Sequence, residues 1–193
     1  MIEIPPCFHL IAGPNGAGKS TYARRFLARS KPPLPFVNTD DIARELGDWR
    51  LPDVQLRAGR ESLTRLRRLL AERKSFTHEA PLSGFAQIEL ARQAKARGWT
   101  VEMVFIILRD WSLSADRVAS RVRRGGHDVP LSDIERRFAR SLENFWAMLH
   151  LCDEWHLLDN TGITYSTIAY GTADQWIIDD YTVFQATEAF RRT

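Results

Sequence analysis

Residues 8–20 read FHLIAGPNGAGKS, and this stretch decides the fold. Phe8, Leu10, Ile11 and Ala12 form a short apolar run of the length of a buried strand. Gly13-Pro14-Asn15-Gly16-Ala17-Gly18-Lys19-Ser20 then satisfies G-x-x-x-x-G-K-[ST], the phosphate-binding loop. From Thr21 to Leu27 the pattern becomes helical, so strand, loop and helix follow in the order that the motif requires. The chemistry accounts for the residue types. Glycines let successive backbone N–H groups converge on phosphate oxygens, and the helix N-terminus behind them adds partial positive charge. Lys19 reaches the β- and γ-phosphates, and Ser20 offers a hydroxyl to Mg2+. Gly13, Asn15, Gly16, Ala17, Gly18, Lys19, Ser20 and Thr21 are therefore the expected nucleotide-binding residues, for ATP or GTP with a magnesium ion.

The rest of the composition is permissive. At 193 residues the chain suits one domain, residues 1–193, with a core of its own. Its hydrophobic content of 44% and charged content of 26% are those of an ordinary globular protein. A net charge of +3 suits a small anionic substrate as well as nucleic acid. No apolar run is long enough to span a membrane and no signal peptide is recognisable, so the expected location is the cytoplasm. Cys7 and Cys152 are too few for a disulfide framework or a cysteine metal site, and both read as core thiols.

Beyond the first helix, Lys31-Pro32-Pro33-Leu34-Pro35 is a break, and Phe36-Val37-Asn38 a second strand. Thr39-Asp40-Asp41 reads as the cap of a helix beginning near Ile42, and Asp53 to Arg73 as a long helix with Leu63, Leu66, Leu69 and Leu70 inward. Ser75 to Glu79 is a third strand, Gly84 to Arg97 a helix, and Trp99 to Leu108 the most strand-like segment of all. Ser112 to Arg124 is helical up to Gly125-Gly126. Another helix follows Pro130, with Ser132 and Glu135 spaced as a capping box and Ile134, Phe138, Leu142, Phe145 and Leu149 on one face. Trp155 to Asp159 is a fifth parallel strand. Residues 164–170 and 175–178 form a hairpin, and 183–191 a closing helix. Strands alternating with helices imply the three-layer α/β fold of P-loop NTPases: a mostly parallel sheet of about five strands covered on both faces, with an arginine-bearing helical lid over residues 112–137.

In such sheets ligands bind beyond the carboxyl ends of the strands. Asp40, after the second strand, is the candidate general base for a hydroxyl attacking a γ-phosphate, with Asp41 beside it. Glu79, after the third, is placed to bind a substrate hydroxyl or a magnesium-bound water, while His78 faces the other way and reads as structural. Arg109, Asp110, Asp159 and Asn160 follow the fourth and fifth strands. Between residues 117 and 140 lie seven arginines. With Val118 and Val122 marking the buried side of one helix, Arg121 flanks the stripe; on the next helix Arg137 does so. Those two are expected to look into the cleft and stabilise transferring phosphoryl charge. Arg124 adjoins the Gly125-Gly126-His127 hinge and is a further nucleotide contact. Arg117, Arg123, Arg136 and Arg140 read as surface. The six tryptophans read mostly as core.

LIAGPNGAGKST, FVNTDDIA, SFTHEAPLSG, RVASRVRRGGHDVP, IERRFARSLENF and LLDN occur in that order. Together they resemble the zeta-toxin-like P-loop kinases over roughly residues 7–180. The resemblance implies an ATP-dependent phosphotransferase, with ATP a better fit than GTP, acting on a small anionic acceptor such as a nucleotide sugar. The best-known zeta toxins phosphorylate UDP-N-acetylglucosamine and are blocked by a small antitoxin. Carried over by motif, Lys19 and Ser20 or Thr21 match the nucleotide and Mg2+ residues, Asp40 the catalytic base and Glu79 the acidic residue near substrate. Arg121 matches a phosphate-contacting arginine, with Arg137 its partner; Asn160 in LLDN is a further cofactor-side residue. His127 either donates a hydrogen bond to substrate or pins the lid turn. Where the family branch has Glu-Thr-Thr, this chain has Glu79-Ala80-Pro81, so two hydroxyls are missing beside the acceptor. A kinase acting on a nucleic-acid end is a lesser fit, and a nucleotide-sensing module of a toxin–antitoxin pair is the reading without small-molecule kinase activity. A membrane is not among the expected partners.

Overall fold

The structure is a computed structural model that describes residues 4–125 and 129–191. Its elements are β1 (Cys7–Ala12), α1 (Lys19–Leu27), β2 (Phe36–Asn38), α2 (Thr39–Leu46), α3 (Pro52–Ala71), β3 (Phe76–Ala80), α4 (Ala86–Ala96), β4 (Thr100–Ile107), α5 (Trp111–Arg123), α6 (Leu131–Leu149), β5 (Glu154–Asp159), β6 (Ser166–Gly171), β7 (Trp176–Ile178) and α7 (Tyr181–Glu188). One seven-stranded sheet runs in the order β2-β3-β1-β4-β5-β6-β7. The first five strands in that order pair in parallel, and β6 and β7 add an antiparallel edge. The hairpin therefore enlarges the expected five-stranded sheet to seven. Among the described residues no helix is long and apolar enough to cross a membrane.

Strand alternation sorts the core. Phe8, Leu10 and Ala12 of β1 share a face with Val101, Met103 and Phe105 of β4 and with Trp155 and Leu157 of β5, and all are buried. On that face Phe145 of α6 meets Phe105 at 4.8 Å and Trp155 at 6.0 Å between ring centroids. Trp146 reaches Trp176 of β7 and Phe184 of α7, which ties the hairpin and last helix to the same aromatic block. The expected apolar face of α6, from Ile134 to Leu149, is buried throughout.

Two helix starts differ from the sequence reading. Asn38, not Thr39-Asp40-Asp41, caps α2: its Oδ1 accepts from the Asp40 and Asp41 N–H groups at 2.7 and 3.3 Å. The Ser132 capping box does not form. Pro130 stands at the N-cap of α6 and its carbonyl takes the Asp133 and Ile134 N–H groups at 2.9 and 3.0 Å, which starts the helix two residues earlier than a Ser132 cap would. Gly59 sits inside α3 without breaking it.

Where β1 gives way to the phosphate loop, Gly13 has φ +138°, and a Cβ there would lie 2.1 Å from the Ile106 carbonyl oxygen. Only glycine lets the chain turn this close to β4. Gly47 has a similar φ of +141° but open space around it. Gly13→Ala should therefore cost about 3 kcal/mol or more, strain plus overlap, whereas Gly47→Ala should cost strain alone, about 1–2 kcal/mol. Urea unfolding at neutral pH compares them, and equal losses would contradict this account of the turn.

Candidate active site

The phosphate loop is held from behind by its carbonyls. Ser114 Oγ donates to the Asn15 carbonyl, Asn160 Nδ2 to Ala17 at 2.8 Å, and the Tyr165 hydroxyl to Gly18 at 2.9 Å. Arg117 reaches the Gly16 carbonyl at 3.5 Å while fixing Asn160 and Thr161 through their carbonyls at 2.7 and 3.2 Å. Gly18, at φ +94°, caps α1, and a Cβ there would strike Asn160 at 2.5 Å. No acidic residue lies in the first turn of α1, so its positive end is left to a bound anion. Lys19 Nζ lies over the loop and donates to the Pro14 carbonyl at 2.9 Å. Burial pulls the Lys19 ammonium below the ordinary lysine value, against Glu79 and Asp40, which hold it up.

Glu79, at the end of β3, is 9% exposed. Its Oε1 accepts from Ser20 Oγ at 2.8 Å and its Oε2 from Asn38 Nδ2 at 2.7 Å. Asn38 then uses its carbonyl oxygen to start α2, as described above. A continuous chain of hydrogen bonds thus runs from the loop serine through Glu79 and Asn38 to the backbone of Asp40. Burial raises the Glu79 pKa, while Lys19, Ser20 and Asn38 oppose the rise by favouring the carboxylate. Asp40 itself is exposed on the first turn of α2. The neighbouring His78 is buried and structural: its Nδ1 lies 2.9 Å from the Val37 carbonyl, and burial brings its pKa down to about 4.

These groups open onto one cleft of about 940 Å³. Asn15, Gly16, Gly18, Lys19, Ser20 and Thr21 line it on the loop side, Asp40 and Glu79 on the second, and Arg121, Arg124 and Arg137 on the third. Gly13, Ala17 and Asn160 do not line it: Gly13 and Ala17 belong to the loop, and Asn160 supports it from behind through the Ala17 carbonyl. Arg137 also pairs with Asp133 at 3.1 Å. His127 lies outside the described residues.

Arg117 is a correction: instead of being surface, it lines the cleft beside Arg121 and grips three carbonyls. Helix α5 has two working faces. Val118 packs with Val129 and Ile134, while Ser114 and Arg117 pack against the loop backbone. A helical phase taken from the valines alone finds only the first. Asn38 was also missed, although an asparagine between a strand and a helix is a cap signal. Asp110 and Asp159 prove to be turn and cap residues: Asp110 caps α5 through the Leu113 N–H, and Asp159 binds Thr161.

The sequence profile of the AAA domain family matches residues 8–143. An uncharacterized protein of Haemophilus influenzae is 28% identical over 128 residues, covering 65% of this chain and 88% of its own length. Among solved structures, the AvrRxo1-ORF1:-ORF2 complex with ATP contains a chain that superposes with a TM-score of 0.75 at 15% identity over 97% of this chain. The present chain spans 65% of that one. The PezAT chromosomal toxin–antitoxin system of Streptococcus pneumoniae gives 0.67 at 16% identity, covering 97% of this chain and 86% of its own. At such identities the likeness establishes the fold alone, a three-layer α/β P-loop fold.

The two buried titrating neighbours have opposite effects on stability. His78 is lowered from its ordinary 6.5 to about 4, so in that window the folded chain binds fewer protons than the unfolded one and stability rises with pH. At about 1.4 kcal/mol per unit, the full rise is about 3 kcal/mol. Glu79 is raised from 4.5, so above that pH the folded chain binds more protons and its contribution falls as pH rises. Glu79→Gln removes the opposing slope. Its stability should climb more steeply than the wild type's as pH rises from about 4.5 toward 6.5, read by urea unfolding across that range. A shallower slope in the variant would contradict the assignment.

Proposed function

The chain belongs to the AAA domain family, and we propose that it is an ATP-dependent phosphotransferase of the zeta toxin type. In this reading residues 1–193 work as one domain that moves the γ-phosphate of ATP to a hydroxyl of a small anionic acceptor. A nucleotide sugar such as UDP-N-acetylglucosamine is the acceptor that the sequence resemblance favours. The observation that carries the reading is the hydrogen-bonded chain from Ser20 through Glu79 and Asn38 to Asp40. It holds a phosphate loop and an exposed carboxylate on two walls of one cleft, and arginines form the third.

The N–H groups of the loop, the N-terminus of α1 and the Lys19 ammonium bind the β- and γ-phosphates. The Ser20 hydroxyl beside the buried Glu79 carboxylate is a donor set that suits a hard cation, so Ser20, with Glu79 behind it, would hold Mg2+. That ion, when bound, supplies positive charge to the phosphate oxygens. Asp40 orients the acceptor hydroxyl and takes its proton as the oxygen bonds to phosphorus; the bond from phosphorus to the β-γ bridging oxygen breaks, and ADP leaves with that oxygen. Arg121 and Arg137, with Arg124 and the newly found Arg117, oppose the negative charge spread over the transferring group. On the acceptor side Thr39, Gln55, Ala80 and Pro81 line the cleft. Ala80 and Pro81 offer no side-chain hydroxyl, so sugar recognition there falls to Thr39 and Gln55. A small protein inhibitor that covers the nucleotide site is the partner this reading implies, and the likeness to PezAT, a toxin–antitoxin system, supports it.

The test is incubation with γ-labelled ATP and a panel of nucleotide sugars. The wild type should yield a labelled sugar nucleotide, and Lys19→Ala should yield none. Asp40→Asn should still bind ATP but transfer about 10²- to 10⁴-fold more slowly. Transfer at the wild-type rate in Asp40→Asn would remove Asp40 from the role of base, and no labelled product from any acceptor would overturn the reading.

A further inference from the structure

Far from the phosphate loop, at the amino-terminal end of the parallel strands, lies a second cluster of side chains that phosphoryl transfer does not use. Cys7 and His9 are two apart on β1 and so share a face, and His9 stands in register with Glu102 of β4. His9 Nδ1 is 2.9 Å from Glu102 Oε2 and 3.6 Å from Cys7 Sγ. One sulfur, one nitrogen and one oxygen lie within 4.8 Å of one another. We propose that Cys7, His9 and Glu102 bind a transition-metal ion of the Zn2+ class, with one coordination position open to solvent.

The spacing matches what such an ion requires. Bond lengths of about 2.3 Å to sulfur and about 2.0–2.2 Å to nitrogen and oxygen place tetrahedral ligands roughly 3.3–3.6 Å apart. The sulfur–nitrogen separation already has that value, and the nitrogen–oxygen pair needs to open by only a few tenths of an ångström as the ion replaces the proton between them. Thiolate, imidazole and carboxylate together favour zinc-like ions over Mg2+ or Ca2+, which take oxygen ligands. The ring of Phe26 on α1 stands 5.4 Å from that of His9, which restrains the imidazole. A cavity of about 180 Å³ adjoins the trio and is lined in part by His9, Glu102, Glu154 and His156, leaving room for a water or a small ligand in the fourth position. Glu154 lies 2.9 Å from His156 there, a carboxylate–imidazole pair of the kind that orients metal-bound water. Glu102 and Glu154 both line that cavity, and their carboxylates suit a cation. Counting cysteines alone hides this site, because it takes only one of the two. Cys7 is half-buried, and Cys152 is the buried core thiol.

Co2+ is the probe, added to reduced wild-type protein without nucleotide. One equivalent should give tetrahedral visible bands and a thiolate-to-cobalt charge-transfer band, and Zn2+ should bleach both. Cys7→Ser should lose the charge-transfer band and Cys152→Ser should keep it. His9→Ala and Glu102→Gln should weaken binding by about 10- to 100-fold or more. A wild-type spectrum without a charge-transfer band would overturn the proposal whatever the variants do, and would leave the His9–Glu102 contact as an ion pair only. A band that survives Cys7→Ser would overturn it as well.

Discussion

The carboxylate of Glu79 is the constraint on which the candidate active site depends. Parallel pairing aligns Glu79 with Asn38 of β2 on one side and with Ile11 of β1 on the other, so it stands in the middle of three strand ends. One of its oxygens holds the serine of the phosphate loop and the other holds the residue that starts α2. Burying a carboxylate is costly, and the cost is offset here by two short hydrogen bonds and the nearby Lys19 ammonium. The phosphate-loop side and the Asp40 side of the cleft are therefore spaced by sheet register.

The parts of this arrangement that could be read from the chain are those with a local signature. The phosphate loop has its glycines and its lysine, β2 is the short run Phe36-Val37-Asn38 between a proline-rich break and Thr39-Asp40-Asp41, and α6 shows its buried face at helical spacing. Arg117 could not be found that way. The face of α5 that carries it packs on backbone carbonyls, and carbonyls have no residue type for a periodicity to detect. Asn160 stands out in the sequence only as a residue beyond β5; that it supports the loop depends on the tertiary structure, which sets it behind the Ala17 carbonyl. The sheet proved wider than five strands for a similar reason: Trp176 joins the aromatic block of Trp146 and Trp155, a contact between residues far apart in sequence.

The two faces of the sheet have divided their work. One is sealed by α6 and a run of aromatic rings, and its energetics are those of apolar burial. On the α1 side, β4 and β5 present Glu102, Glu154 and His156, which remain partly exposed and paired with one another or with His9. Polar ladders of this sort have little effect on stability when solvated. They occupy only the amino-terminal end of this face; further along the same strands Ile11, Ile106 and Leu158 are buried.

Asn38 makes the frame of the candidate site depend on a single side-chain amide. Its side-chain amide works at both ends, the oxygen receiving the first N–H groups of α2 and the nitrogen donating to Glu79. Spontaneous hydrolysis of that one amide to a carboxylate would leave the helix start intact while setting two anions against each other beneath the cleft. A molecule aged in this way would keep its secondary structure and lose the spacing between its loop and Asp40, so damage at a single nitrogen atom would separate a folded protein from a working one.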